Sequence, residues 1–278
     1  MDRIKTTKDI GVLKGKTLVF GGVYSNLQAL ERMIAIAEEL QIAPQNIICT
    51  GDVVAYCAQP EECVQKVMDW GIHTIAGNVE IQLREGEEDC GCNFDEGSRC
   101  NLFSGQWYPF AKRRLSEACI DWMWELPDFI SFELAGLQGL VVHGSLQETA
   151  EFVFKSTSWE VKAANLEQGK VDIVLAGHCG LPFHDVRNGQ YWLNAGVIGM
   201  PANDGTTRVW YMVLEAEKER SLAFSHHSFD YNCEETARLM GLYSLTPEYA
   251  KTLVTGLWDN CEVLPDSETK LQGIEICF

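Results

Sequence analysis

Asp52, Asn78, His143 and His178 each follow a short apolar run that reads as a buried strand: NIICTGD (46–52), IHTIAGN (72–78), GLVVHG (139–144) and DIVLAGH (172–178). In each run, β-branched and aliphatic residues lead into a Gly-containing turn, and the polar residue sits at or beside that turn. Loops beyond the carboxyl ends of strands in an α/β sheet gather in one crevice. A carboxylate, an amide oxygen and two imidazoles converging there would suit a borderline divalent metal.

Such a crevice needs a sheet to hold it. Residues 17–21 (TLVFG) read as a first strand, and SNLQALERMIAIAEEL (25–40) as a helix opened by a Ser start signal. NIICTGD follows as a strand, PEECVQKVMDWG (60–71) as a helix with Pro at its start and Gly at its end, and IHTIAGN as a third strand. This β-α-β-α-β order implies right-handed crossovers and a parallel sheet core. The acidic, Gly- and Cys-rich REGEEDCGCNFDEGSRC (84–100) reads as a long loop, and an aromatic-dense helical stretch runs from it to about residue 127. FISFEL, GLVVHG, DIVLAGH, GQYWLNAG, TRVWYMVLE and SLAFSHHSF are closely spaced strands, as in a second sheet partly made of hairpins. Helices are expected at 231–241 and 246–257, and the tail DNCEVLPDSETKLQGIEICF has no period, as of a poorly packed extension. The organisation is therefore one domain over 17–241, carrying an insertion at 84–127, with a C-terminal extension over 242–278.

Composition narrows the function classes. The 278 residues, 46% hydrophobic, are enough for a sizeable core. No run is long and apolar enough for a membrane helix, and the charged start lacks the stretch of a signal peptide. With 22 basic against 40 acidic residues, the net charge of −18 repels nucleic-acid phosphates. Lys112, Arg113 and Arg114 read as a solvated helix face. The 11 cysteines are scattered, several within expected strands and helices, which points to free thiols in a reducing, cytoplasmic compartment.

At these residues the chain resembles the calcineurin-like metallophosphoesterases, in their small bacterial phosphodiesterase-like branch. The family's motifs D-x-H, G-D-x-x, G-N-H-D, H-G and G-H-x-H correspond in order to GGVYSNLQAL (21–30), GDVVAY (51–56), GNVE (77–80), HGS (143–145) and GHCG (177–180). WLNAGVIGMPANDGTTRVWYMVLE and SFDYNCEETARLM are similar to the family's later segments. The resemblance implies an α/β fold, a four-layer α-β-β-α sandwich of two mixed sheets flanked by helices. It also implies a metal-dependent phosphoesterase acting on a small phosphorylated substrate, with Mn, Fe or Zn as cofactor. Asp52 takes the place of the aspartate that bridges two metals, and Asn78, His143 and His178 match the other ligands of one of them. Asp52, Asn78 and His143 become the catalytic candidates, with Asn78 also meeting the substrate phosphate. The second metal normally draws on an Asp and a His of the first motif and the last His of the final one. Here Gly22, Tyr24 and Gly180 stand there.

That loss leaves several readings open. Tyr24 either rebuilds the second site, as a phenolate can bind ferric iron, or packs into the vacated pocket. Cys57 and Cys179, both in motif segments, either join Tyr24 as soft ligands in a rebuilt site or are inert buried thiols. Cys90, Cys92 and Cys100 form C-x-C-x₇-C in the acidic loop, which could lid the crevice. They are a small metal site, a redox pair or free thiols. Val79 replaces the family's general-acid His, so Glu80, standing where the Asp that usually orients that His would be, is either a support for Asn78 or a water, or a solvated helix-start carboxylate. His226 and His227, adjacent on a strand, cannot both face one pocket. Three functions remain in view: a phosphoesterase with one metal or a rebuilt pair, a non-catalytic metal- or phosphate-binding sensor or scaffold, and a thiol-metal or redox protein.

Overall fold

Alternation of side chains along the central strands decides the layering. The computed structural model describes residues 4–92 and 97–278, so part of the 84–100 loop lies outside the described residues. The described elements begin with β1 (Thr7–Val12), β2 (Thr17–Phe20), α1 (Leu27–Glu39), β3 (Ile47–Cys49), α2 (Pro60–Trp70), β4 (His73–Thr74) and α3 (Asn78–Glu85). The helices α4 (Arg99–Arg114) and α5 (Glu117–Glu125) precede β5 (Phe129–Leu134), β6 (Leu137–Val141), α6 (Trp159–Gly169) and β7 (Ile173–Ala176). Then come β8 (Pro182–Arg187), β9 (Gln190–Ala195), β10 (Val209–Lys218), β11 (Ser221–Phe229), α7 (Cys233–Leu242), α8 (Pro247–Thr255) and α9 (Asp266–Thr269).

The strands form two mixed sheets, ordered β11-β10-β2-β3-β4 and β1-β5-β6-β7-β9-β8. In β2, Val19 points into the layer between the sheets, while Leu18 and Phe20 point out to the helices. In β7, Ile173 and Leu175 face the inter-sheet layer, while Val174 and Ala176 face outward. With both faces covered, these strands need apolar residues at every position, and their short unbroken runs follow from that. The result is the four-layer α-β-β-α sandwich. Among the described residues, no helix is long and apolar enough to cross a membrane.

Local signals placed most elements within a residue or two. Pro60 opens α2, and Gly71 ends it at φ +68°. The start of α1 is set by Asn26, not Ser25, because the Asn26 side chain accepts from Ala29 N–H. Two strands escaped the sequence. β1 is almost wholly exposed and pairs in parallel only with β5, so it carries no apolar pattern. β8 is a hairpin edge paired to β9, and its outer half, Glu-free but polar, lacks one too.

In the C-terminal extension α8 is packed, while the tail over 259–278, expected from its lack of period to pack poorly, is mostly exposed apart from Leu264 and Glu268. Tyr249 and Leu253 of α8 join the same helical-layer core as α1 and α2. Beyond them the backbone turns through α9 and local hydrogen bonds such as Leu264 N–H to Cys261 O, and side chains add to its grip. Asn203 Oδ1 accepts from Trp258 N–H at 2.8 Å, and Asp204 Oδ2 accepts from Ile276 N–H at 3.1 Å. Leu253 is fully buried. Leu253→Ala should therefore cost about 2–5 kcal/mol in urea unfolding. A loose appendage would give a change within about 0.5 kcal/mol.

Candidate metal site

The carboxyl ends of β3 and β4 in one sheet meet those of β6 and β7 in the other, and Asp52, Asn78, His143 and His178 lie just beyond them. All four are at least nine-tenths buried. His143 Nε2 lies 3.1 Å from Asp52 Oδ2, 3.0 Å from Asn78 Oδ1 and 3.2 Å from His178 Nδ1. Among the described residues, Asp52, His143 and His178 are the one group of three or more His, Cys, Asp or Glu whose donor atoms lie within 4.8 Å of one another.

Hydrogen-bond bookkeeping fixes which atoms face inward. The Thr50 carbonyl, 2.6 Å from His143 Nδ1, can only accept, so that nitrogen carries the hydrogen. The Cys90 carbonyl accepts from Asn78 Nδ2 at 2.7 Å, which turns the amide oxygen toward His143. In the neutral ring, Nε2 thus presents a lone pair to two oxygen acceptors and a second imidazole. Either a proton on Nε2 or a cation can hold such a cluster, and a cation satisfies all four atoms at once. Donors of these types sit about 2.0–2.2 Å from a zinc-like ion, which is compatible with mutual separations near 3 Å. The residues fit a divalent metal.

The electrostatics follow the same contacts. Burial pushes the Asp52 carboxyl up, but the charge and hydrogen bond of His143 outweigh it and hold Asp52 below the usual carboxylate range. Burial pushes His143 down, and Asp52 raises it above the ordinary imidazole value. His178, buried and beside His143, is pushed down to about 3 and is neutral at physiological pH, with a lone pair to offer.

Close backbone approach brings these groups together. At Gly51, φ +92°, an added Cβ would lie 2.6 Å from Gly77 N and 2.9 Å from His143 Nδ1. At Gly77 it would lie 2.6 Å from Asp52 N, so neither loop tolerates a side chain there. Asp52 and His178 themselves are held at φ +58° and +57°, a region costly for non-glycine residues and often found at functional sites.

Glu80 supplies the clamp. It is fully buried, and its carboxylate accepts from the N–H groups of Asp52 (2.8 Å), Gly77 (2.9 Å) and Val54 (3.1 Å). It is therefore neither a solvated helix-start carboxylate nor a partner of the Asn78 side chain; it ties the Asp52 loop to the Asn78 loop through their backbones. Burial, then the charge of Asp52, raises it to about 7, against the pull of the three N–H donors. The sequence did carry a signal for part of this. Glu80 is the third residue of α3 after Gly77, the acidic position of a capping box.

The other half of the expected two-metal site is filled rather than rebuilt. A Cβ on Gly22 would lie 2.3 Å from Tyr24 Cε1, so the Tyr24 ring occupies the space a side chain at 22 would need. Tyr24, itself 5% exposed, packs in the helical-layer core. Near Gly180 the space is bordered by Met200 and Trp258, at 3.4 and 3.5 Å from a Cβ there. Cys57 does not reach this space. It is buried in the helical-layer core, and burial pushes its thiol well up. Cys179 borders the space, but its sulfur receives Asn194 Nδ2 at 3.3 Å, and burial pushes it up to about 12. Among the described residues, neither Cys57 nor Cys179 belongs to a group of three or more His, Cys, Asp or Glu with converging donor atoms.

In the described part of the acidic loop, the Cys90 and Cys92 thiols meet in a hydrogen bond beside Asn78, while Cys100 lies apart from them. Cys90 turns into the helical-layer core, Cys92 Sγ receives Asn78 Nδ2 at 3.1 Å, and Cys100 Sγ lies 3.6 Å from Asn260 Oδ1. The Asn78 amide hydrogens are thereby spent on Cys90 and Cys92, leaving none for a substrate phosphate in this arrangement. All 11 cysteines are free thiols. His226 lies inward, Nε2 2.9 Å from Asn194 O, and His227 outward, as adjacent strand positions require.

Two expected outcomes test this geometry. Glu80→Gln sets an amide N–H₂ against a backbone N–H and should cost about 2–4 kcal/mol in urea unfolding, with metal affinity falling about 10–100-fold. Gly22→Asp should destabilise by about 1–3 kcal/mol through the clash with Tyr24. Combined with Tyr24→Ala, that penalty should largely vanish, and an additive double-mutant cycle would refute the steric account.

The calcineurin-like phosphoesterase superfamily domain matches residues 19–219. An uncharacterized protein of Methanocaldococcus jannaschii is 23% identical over 236 residues, covering 79% of this chain and 90% of its own length. In fold, the chain is similar to a metallophosphoesterase from Sphaerobacter thermophilus, at TM-score 0.68 and 22% identity, covering 88% of this chain and 100% of that one. It is also similar to a hypothetical protein from Pyrococcus horikoshii OT3, at TM-score 0.72 and 15% identity, covering 87% and 99%. With the two-sheet sandwich and the ordered motifs, the match places the chain in the calcineurin-like phosphoesterase superfamily.

Proposed function

We propose that the protein is a metal-dependent phosphoesterase that works with one ion, held by Asp52, Asn78, His143 and His178, on a small phosphomonoester or phosphodiester. The observation that carries this reading is the convergence of four buried donor groups, Asp52, Asn78 and His178 all within 3.2 Å of His143 Nε2. Manganese, iron or zinc bound there supplies Lewis acidity toward a phosphoryl oxygen and lowers the pKa of a bound water. The chain's own residues do the rest. Thr50 O and Cys90 O orient His143 and Asn78, Glu80 holds the Asp52 loop, and His178 remains neutral. The absent second ion costs roughly 3–4 kcal/mol of charge stabilisation, on the order of a hundred- to a thousandfold in rate. Small phosphorylated molecules are the proposed partners, the acidic net charge disfavouring nucleic acid. The free thiols favour a cytoplasmic setting.

The filled second half-site favours one alternative, a metal- or phosphate-binding sensor or scaffold without turnover. A thiol-metal or redox function is a second alternative: Cys90 and Cys92 are in side-chain contact, but Cys100 lies apart from them, toward Asn260.

Metal analysis of protein purified without chelator should find one ion per chain, lost in His143→Ala and kept in Cys92→Ser. With added Mn²⁺, bis-p-nitrophenyl phosphate should be hydrolysed measurably faster than by Asp52→Ala. A bound ion without that difference would support the sensor reading.

A further inference from the structure

The filled half-site keeps an opening beside the metal ligands. A cavity of about 90 Å³, room for several water molecules, adjoins Asp52 and His178. Aromatic rings make up much of its wall: Tyr24, Tyr56, Phe103, Phe152, Tyr249 and Trp258. These rings are braced. Tyr56 stacks on Tyr249 with centroids 4.3 Å apart, and Tyr24 meets Tyr56 edge-on at 5.2 Å. Trp258 is fixed at both nitrogens, N–H to Asn203 Oδ1 and Nε1–H to Pro201 O, each at 2.8 Å.

Charge selects what such a wall can hold. Among the described residues, no Lys or Arg lines the cavity, so a second phosphate or other anionic extension would meet no counter-charge. Its two carboxylates are already engaged. Asp52 faces His143, and Asp259 receives Arg99 Nε at 2.5 Å. A cationic group would therefore find no free partner either. What remains favourable is a neutral planar ring, which gains apolar burial and offset or edge-on contact with the aromatic wall.

We propose that this cavity seats the neutral aromatic substituent of a phosphoester, an aryl or nucleobase group, against Trp258 and Tyr24 while the phosphoryl group faces Asp52 and His178. The placement of the phosphoryl end rests on the phosphoesterase reading; the ring preference does not. The space where the family's second metal would draw its ligands becomes a specificity pocket, and substrates bearing a single phosphoryl group are preferred over polyphosphates.

Calorimetric titration of the Mn²⁺-loaded protein with phenylphosphonate and methylphosphonate tests this. Phenylphosphonate should bind about tenfold or more tightly, the scale of one ring stacked on an aromatic wall. Trp258→Ala should bring the ratio close to one with methylphosphonate affinity unchanged, and Trp258→Phe should restore it. Where Trp258→Ala also weakens methylphosphonate, Phe103→Ala reads the ratio from another part of the wall and should lower it. Asp52→Asn should weaken both ligands and leave their ratio intact. A ratio kept in Asp52→Asn with neither affinity weakened would remove the phosphoesterase reading and leave the pocket standing. A wild-type ratio near one, no binding of either ligand at millimolar concentration, a ratio unchanged by the wall variants, or tighter binding of pyrophosphate than of phenylphosphonate would overturn the proposal.

Discussion

Four lone pairs aimed at one another inside a closed interior are the constraint on which the rest of this structure depends. Burying acceptors without donors is costly, and here His143 meets that cost through a single nitrogen, which Asp52 favours as protonated and which touches Asp52, Asn78 and His178. No side-chain rearrangement relieves it cheaply. His143 is anchored through Nδ1 to Thr50 O, and Asn78 through its amide hydrogens to Cys90 and Cys92. The protein holds the cluster together by force of backbone: glycines 51 and 77 let two loops touch, and Glu80 ties them with three hydrogen bonds. An arrangement whose polar atoms the backbone holds around one point is preorganised for a cation.

The two halves of the site follow opposite physical logics. In the first, polar atoms are forced into contact and a charge is needed to reconcile them. In the second, Gly22 and Gly180 remove side chains, and Tyr24, Met200 and Trp258 close around the space. A ring at 24 excludes a side chain at 22, so the two changes are one change in steric terms. Apolar walls make reoccupation by a bare ion expensive, because an ion there would lose hydration without gaining charged ligands. The site has thus exchanged electrostatic capacity for shape and apolar surface.

Much of this was legible in the sequence because each metal-site residue follows a run whose composition reports burial on both faces. Leu18, Val19 and Phe20, or Ile173 to Ala176, must all be apolar since one sheet face meets the other sheet and the opposite face meets helices. The order of the motifs then carried the fold. What the sequence concealed depends on groups that have no pattern. β1 is an exposed edge whose stability comes from main-chain pairing to β5. The C-terminal segment is held by Asn203 and Asp204 reaching its backbone, and a hydrogen bond to irregular chain leaves no period behind. The grip of Glu80 reads locally as a helix cap, and its long-range half, to Asp52 and Val54, arises only when two loops meet. Spacing along the chain did not distinguish the loop thiols: Cys90 and Cys92 meet, while Cys100 turns toward Asn260.

The C-terminal segment joins these strands of reasoning. It lies outside the 19–219 span that defines the family, yet it supplies Tyr249 and Trp258 to the cavity wall. Arg99, at the start of α4, pairs with Asp259, and Glu262 accepts from the N–H groups of Arg99 and Cys100. The insertion and the tail therefore close the mouth together, each fixing the other. Such exposed ion pairs contribute little stability singly; their consequence is positional. The span matched by the family model delivers donors for an ion, and the Arg99 helix and the tail determine what can lie beside it. Chemistry and selectivity are in this way carried by different stretches of chain, which lets the second be reshaped without disturbing the lone-pair cluster that defines the first.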